Sequence, residues 1–348
     1  MKIKSVRAVY PNYKYTVPSW RTHLWQIVVR IETTTGQIGW GYGGGGKAAV
    51  EIVNGHFAEI LMGKSFDSIS DISDLWDFLY TASIPYGRKG VAIMALSGVD
   101  LALFDALGKA EMKPVANLLN GSTKDRMRCY ATGPDTDYYA GLGFTAQKFP
   151  FQWQGDESEA AGVAIAEKAR SVLGKDAEVM FDVYMTWDSE ITLRMHEALK
   201  HVGIHWYEDI LTPDDLEELG DLRTKIRPVN MAGGEHEFTA HGFVDIARTN
   251  AYDIWQPDIT WCGGITAGLR IMDLAKLNNT EVVPHRGAEP WGLHLIAATE
   301  CADFAEMLPG VRGGDSDDLW IGAPEAVDGY IRIKDEPGFA VKLNEDLL

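Results

Sequence analysis

Six side chains able to hold a cation or move a proton recur along the second half of this 348-residue chain: Asp182, Glu208, Glu235, Asp258, His285 and Glu306. The intervals between them are 26, 27, 23, 27 and 21 residues, each about one strand plus one helix of a parallel α/β fold. Asp182, Glu208 and Glu235 contain neither histidine nor cysteine, so together they form an all-oxygen donor set that suits magnesium better than zinc. Magnesium bound by a few carboxylates keeps positions for water and substrate oxygens. A carboxylic acid chelated there has its α-proton acidified, because the ion neutralises the enediolate left behind. Removing that proton needs a base. His285 is the candidate, with Asp258 placed to hold its other nitrogen and raise its basicity. Taken singly, Asp258 also reads as a turn or cap, His285 as a core histidine and Glu306 as a salt-bridge partner. Their common position at successive strand ends favours the site.

The stretch GGEHEFTAH (233–241) offers a competing metal motif, the zinc-protease helix with two histidines four residues apart. His236 and His241 stand five apart, about 140° round a helix, and cannot face one ion. A strand VNMAGGE ending at Glu235 is the better reading. A second decoy is GYGGGGKA (41–48), which matches part of a phosphate loop but carries Ala48 where serine or threonine should meet magnesium. A flexible glycine turn able to move over a ligand is expected there instead.

Eight runs rich in β-branched and aromatic residues must carry these side chains: RCYATG (128–133), AQKFPF (146–151), EVMFDVY (178–184), HWYEDI (205–210), VNMAGGE (229–235), YDIWQPD (252–258), TEVVPH (280–285) and DFAEML (303–308). Amphipathic helical stretches separate most of them, a pattern that closes a parallel sheet into a barrel with its active site at the carboxyl ends of the strands. Lys148 lies on the second of these strands. Ahead of the barrel, residues 1 to about 60 alternate and turn as β structure, with TTTGQ joining two runs as a hairpin, and 66–120 read as helices broken near Met112–Pro114. The expected class is α/β, a (β/α)7β TIM-type barrel with an N-terminal α+β capping domain. The expected division is 1–125 cap, 126–322 barrel and 323–348 a tail packing back on the cap.

A formal charge of −18 and the lack of a basic patch argue against a nucleic-acid partner. Three scattered cysteines make neither a disulfide framework nor a metal knuckle. MKIKSVRAVY has no apolar signal core, and no stretch approaches 18 uninterrupted apolar residues, so a cytoplasmic protein is expected.

Together SIPYGRKG, LSGVDLALFDALGKA, YATGPD, QKFPF, YEDI, GGEHE, QPDITWCGG, VVPH, FAEML and PGFAVKLN resemble the enolase superfamily, its mandelate racemase subgroup and, within that, the L-rhamnonate dehydratase family. The resemblance implies one Mg2+ per site on Asp182, Glu208 and Glu235, with His285 and Asp258 as base and partner. It puts Glu306 near the substrate carboxylate or enediolate. Lys148 falls where the racemases have the first lysine of a Lys-x-Lys pair, and Pro150 replaces the second. A single base favours loss of a β-hydroxyl, a syn dehydration of a sugar acid to a 2-keto-3-deoxy acid, and the enzyme would be a hydro-lyase. Alternatives are an acid-sugar epimerase or racemase, and a non-catalytic acid-binding member. Trp20, Arg21, His23, His236, Arg286 and Trp291 are the candidates for sugar contacts. RGAEPWGLH after His285 departs from the serine- and tyrosine-rich loop of that family, and relatives of this kind are commonly homo-oligomers.

Overall fold

A computed structural model describes residues 1–13, 21–120, 124–308 and 319–348. An antiparallel three-stranded sheet opens the chain: β1 (Ile3–Val9), β2 (Ile27–Thr33) and β3 (Ile38–Gly43), in that order. The hairpin at TTTGQ is as expected, but the β reading of residues 1–60 fails beyond Gly45. Gly46–Ile52 is helical and continues through a π-helical segment, Val53–Phe57, into Ala58–Leu61. Helices Ile69–Ser83 and Val91–Ala110 follow, and Ser68 caps the first by accepting the Asp71 N–H.

The glycine run is not a mobile turn. Residues 41–46 are buried, and β3 lies directly on helix Val91–Ala110. A Cβ at Gly39 would come within 2.0 Å of the Ala102 carbonyl oxygen, and one at Gly41 within 2.0 Å of the Gly98 oxygen. Glycine is there to let two backbones touch. That helix is long and apolar enough to cross a membrane, yet it is almost wholly covered by the rest of the molecule. Its two buried acids serve as donors' partners for other elements. Asp100 accepts the Thr266 N–H (3.0 Å) and hydroxyl (2.5 Å) at the start of helix Gly264–Asn278, and Asp105 accepts the Trp40 (2.8 Å) and Phe339 (3.1 Å) amides.

Eight parallel strands make the barrel: β4 (Met127–Thr132), β5 (Ala146–Pro150), β6 (Glu178–Asp182), β7 (Trp206–Glu208), β8 (Asn230–Gly233), β9 (Ile254–Trp255), β10 (Glu281–Val282) and β11 (Phe304–Met307). They pair in sequence from β4 to β10, and β11 pairs with β4. The remaining seam between β10 and β11 is spanned by Val282 N–H to the Cys301 carbonyl (2.9 Å) and Ala288 N–H to the Glu306 carbonyl (2.9 Å). All eight expected strands are present; β4 keeps its expected length of six residues, shifted by one, and the other seven are shorter by one to five residues.

One residue from each strand, or just after it, fills the barrel interior: Tyr130, Ala146, Met180, Trp206, Ala232, Ile254, Val283 and Phe304. Side chains of a strand repeat their direction every second residue. The next inward layer is therefore Thr132, Lys148, Asp182, Glu208, Gly234, Gln256, His285 and Glu306. An apolar plug thus floors a polar layer at the carboxyl ends of the strands. The cysteines are free, as expected, with Cys129 and Cys262 buried.

Candidate active site

Asp182 and Glu208 close adjacent strands and are paired in register. Burial pushes Asp182 well above the usual carboxylate range, and Glu208 pushes it further. Glu208 is 1% exposed and fully engaged. Its Oε1 meets Lys148 Nζ, and its Oε2 accepts the Gln256 amide (2.7 Å) and the Trp206 indole N–H (3.0 Å). Glu235 lies two residues past β8, where burial lifts it to about 8. Its carboxylate stands 3.5 Å from His285 Nε2 and 3.6 Å from His236 Nε2.

Among the described residues the tightest group of potential ligand atoms is Asp209, Glu235 and His236, within 4.8 Å of one another. Asp182 and Glu208 are outside it, Glu208 being drawn toward Lys148. Sequence reasoning passed over Asp209. It follows Glu208 with a left-handed backbone (φ 50), so both carboxylates of the pair turn inward. The donor chemistry still fits a hard divalent cation. Buried carboxylates crowd this end of the barrel and raise one another, and an ion of charge two offsets that load.

Lys148 is fully buried and forms ion pairs with Glu208 and with Glu306 (2.8 Å). Burial would lower its pKa, but the two carboxylates outweigh that and raise it well above the ordinary lysine range. Glu306 also accepts the Thr132 hydroxyl (2.6 Å) and the Arg286 N–H (2.7 Å). Burial opposes its charge, yet Lys148 chiefly, with His285, holds it down at about 2.

His285 Nδ1 is 2.8 Å from Asp258 Oδ2. A carboxylate only accepts, so Nδ1 carries the proton and Nε2 faces Glu235 and the cavity. Burial would lower the imidazole's pKa, but Glu235 and the bond to Asp258 raise it to about 10. For Asp258, burial is more than offset by Arg286 and His285, which hold it well below the usual carboxylate range.

The sugar-contact candidates divide. Trp20 lies outside the described residues. Arg21 stacks over Trp25 (4.4 Å) in the short helix Arg21–Leu24, and His23 on the same helix is exposed. His236 faces Asp209 (3.5 Å) and packs beside Trp261. His241 turns away to stack on Tyr80 (5.6 Å), consistent with the failed zinc spacing. Two of the candidates are buried. Arg286 is buried behind the dyad, donating to Asp258 Oδ2 from Nε (3.1 Å) and Nη2 (2.9 Å), because an unpaired guanidinium cannot be buried. Trp291 is 1% exposed and packs against Tyr42, Trp320 and Phe339, where its large apolar ring belongs. Thr132 and Gln256, unnoticed in the sequence, belong to the inward layer. The alternation Gln256, Asp258, Thr260 in QPDIT is the signal that could have found Gln256.

A barrel of this order, with carboxylates on its third and fourth strands and a histidine beyond its seventh, has the architecture of an enolase-type catalytic domain. Residues 136–347 match the enolase C-terminal domain-like family, and residues 12–120 match the mandelate racemase / muconate lactonizing enzyme N-terminal domain. The chain belongs to this family. It is 34% identical to an L-rhamnonate dehydratase of Saccharopolyspora erythraea, over 98% of this chain and 89% of that one. The crystal structure of L-rhamnonate dehydratase from Gibberella zeae superposes with a TM-score of 0.90 at 31% identity, covering 99% of this chain and 94% of that chain. Another structure of rhamnonate dehydratase from that organism, complexed with Mg, gives 0.88 at 29% identity, over 99% and 95% of the two chains. A racemase from Streptomyces coelicolor with bound magnesium gives 0.86 at 25%, covering 99% and 98%.

Proposed function

We propose that this chain is a magnesium-dependent acid-sugar dehydratase, a hydro-lyase that converts a sugar carboxylate to a 2-keto-3-deoxy acid. Rhamnonate dehydratase relatives over nearly the full length support the reaction class. Asp182, Glu208 and Glu235, the acids at the ends of three successive strands, would hold the Mg2+, and a relative complexed with Mg supports the choice of ion. When bound, it supplies the positive charge that orients the substrate carboxylate and offsets the charge developing on it.

With the Glu235 charge that raises it offset by a bound cation, His285 Nε2 would be free of a proton; it takes the α-proton from C2, and the electron pair passes into the carboxylate. Asp258 keeps Nδ1 protonated and the ring aimed. The C3–O bond then breaks, and the proton on His285 leaves with the hydroxyl as water. The enol product ketonises. Lys148 and Glu306 fix charge on the opposite wall, and His236, 3.5 Å from Asp209, would meet a sugar hydroxyl.

The observation that carries this reading is the single base. Lys148 is locked between Glu208 and Glu306, and Pro150, the next inward-facing position of β5, has no proton to give. An epimerase needs groups on both faces of the α-carbon. Purified protein with Mg2+ should convert at least one member of an acid-sugar library to a product that reacts with semicarbazide, and chelation should abolish turnover. His285→Asn should lower kcat by about 10²–10⁴-fold. Solvent deuterium entering recovered substrate with inversion would favour the epimerase. Ligand binding by calorimetry without turnover across the library would favour the non-catalytic reading.

The division into cap (1–125), barrel (126–322) and returning tail (323–348) is part of this proposal. Hydrogen bonds from Val115 N–H to Gly338 O (2.9 Å) and from Asn12 N–H to Leu347 O (2.7 Å) support the tail's return. A cytoplasmic homo-oligomer without nucleic-acid or membrane partners fits the acidic surface, and sedimentation tests the assembly.

A further inference from the structure

We propose that Gln26, at the foot of the capping strand β2, is a positioning residue for the His285–Asp258 pair, acting through Thr260 and Trp261. The inference rests on the catalytic reading above.

Asp258 is poorly supported by its own strand. β9 is only Ile254–Trp255, and Asp258 stands three residues beyond it in a turn that holds no regular structure. Precision must come from elsewhere. Gln26 is 0% exposed, its Nε2 donates to Thr260 Oγ1 (2.8 Å), and its Oε1 accepts the Trp261 indole N–H (2.8 Å). An indole nitrogen can only donate, so the orientation of the amide is unambiguous. Gly44 N–H, also from the cap, donates to the Thr260 carbonyl (3.2 Å).

Thr260 transmits the contact. Its hydroxyl receives Gln26 and Arg286 Nη2 (2.7 Å), which are both pure donors at that point. The hydroxyl proton must therefore point to Asp258 Oδ1 (2.7 Å), where the Thr260 N–H (2.7 Å) also donates. Asp258 Oδ1 is fixed by Thr260, and Oδ2 is left for His285 and Arg286. Trp261, tethered by Gln26, lays its ring 5.5 Å from the His285 ring and 5.3 Å from the Arg286 guanidinium carbon. One cap residue thus holds both the partner of the base and the wall beside it. A base displaced by about 1 Å can lose about 10²-fold in rate. Substrate affinity, set at the carboxylate cluster, should move far less.

Gln26→Leu removes both bonds at similar volume, and Thr260→Val removes the relay while Thr260→Ser keeps it. Gln26→Leu and Thr260→Val should each lower kcat by about 10–100-fold with KM within about threefold of wild type. Thr260→Ser should return to within about threefold, and the Gln26→Leu/Thr260→Val double variant should fall well short of the product of the singles. A substrate-free readout accompanies these: the downfield proton resonance of His285 Nδ1–H bonded to Asp258, identified by its loss in His285→Asn. It should broaden or shift in Gln26→Leu. A folded Gln26→Leu with wild-type kcat and an unchanged resonance would overturn the proposal, as would strictly additive effects. Should Gln26→Leu not fold, the Thr260→Val and Thr260→Ser pair decides alone, and equal losses in both overturn it. A wild-type protein that shows the resonance but turns over no acid sugar counts against the dehydratase reading, and the resonance still reports on Gln26.

Discussion

Lys148 shows how one side chain can be read correctly in place and incompletely in role. Its position on the second barrel strand was legible, but its fully buried bonds to Glu208 and Glu306 were not. Those partners lie 60 and 158 residues downstream and meet it only across the barrel. Lys148→Met should leave two buried carboxylates without their cation, costing about 3–5 kcal/mol of unfolding free energy at neutral pH. Urea unfolding measures this, and a loss below about 1 kcal/mol would contradict the pairing. Arg286 and Trp291 likewise depend on distant partners. Proximity in sequence to His285 placed them near the site, while the direction of each side chain was set by Asp258 in one case and by Tyr42, Trp320 and Phe339 in the other.

Among the elements, β3 and helix Val91–Ala110 bring their backbones together in the cap, and glycine spacing permits it. Gly41→Ala would put a methyl against the Gly98 carbonyl and force strand and helix apart. We expect a loss of about 1–3 kcal/mol, with the cap unfolding at lower denaturant than in wild type. Gly36→Ala, at a hairpin position with open space but a positive φ (84), should cost less, about 1 kcal/mol. Equal effects would mean that contact between the two backbones is not what the glycines provide. The barrel strands were easier to read. Most are short apolar runs with a polar group at or just past the carboxyl end, so period-two alternation placed Asp182, Glu208 and Glu306 inward together. Thr132 and Gln256 sit in the same layer but are neutral, and nothing in composition separates them from turn residues.

At the scale of the molecule, cap, barrel and tail meet at His294. Its Nδ1 accepts the Ala116 N–H (3.1 Å), and its ring lies against Phe339. Burial, only partly opposed by a bond to the Phe339 backbone, lowers its pKa to about 3 from an ordinary 6.5. Between those values the unfolded chain binds a proton that the folded one refuses. The contribution of this joint is therefore complete above pH 6.5 and is lost as pH falls toward 3. His294→Gln keeps an acceptor and a donor without titrating, so its stability should fall less steeply across that window, by up to about 1.4 kcal/mol per pH unit. Parallel acid limbs for the two proteins would rule the linkage out.

The order of strands and helices, the inward alternation and the spacing of acids could all be read in one dimension, because each depends on neighbours a few residues apart or on a repeat of constant length. Which carboxylate pairs with Lys148, where Arg286 turns, and how Gln26 reaches Asp258 depend on contacts between residues tens to hundreds of positions apart. Such pairings have no period in the chain. They exist only once the barrel has closed and the cap has packed onto it, where burying a charge or a donor obliges it to find a partner.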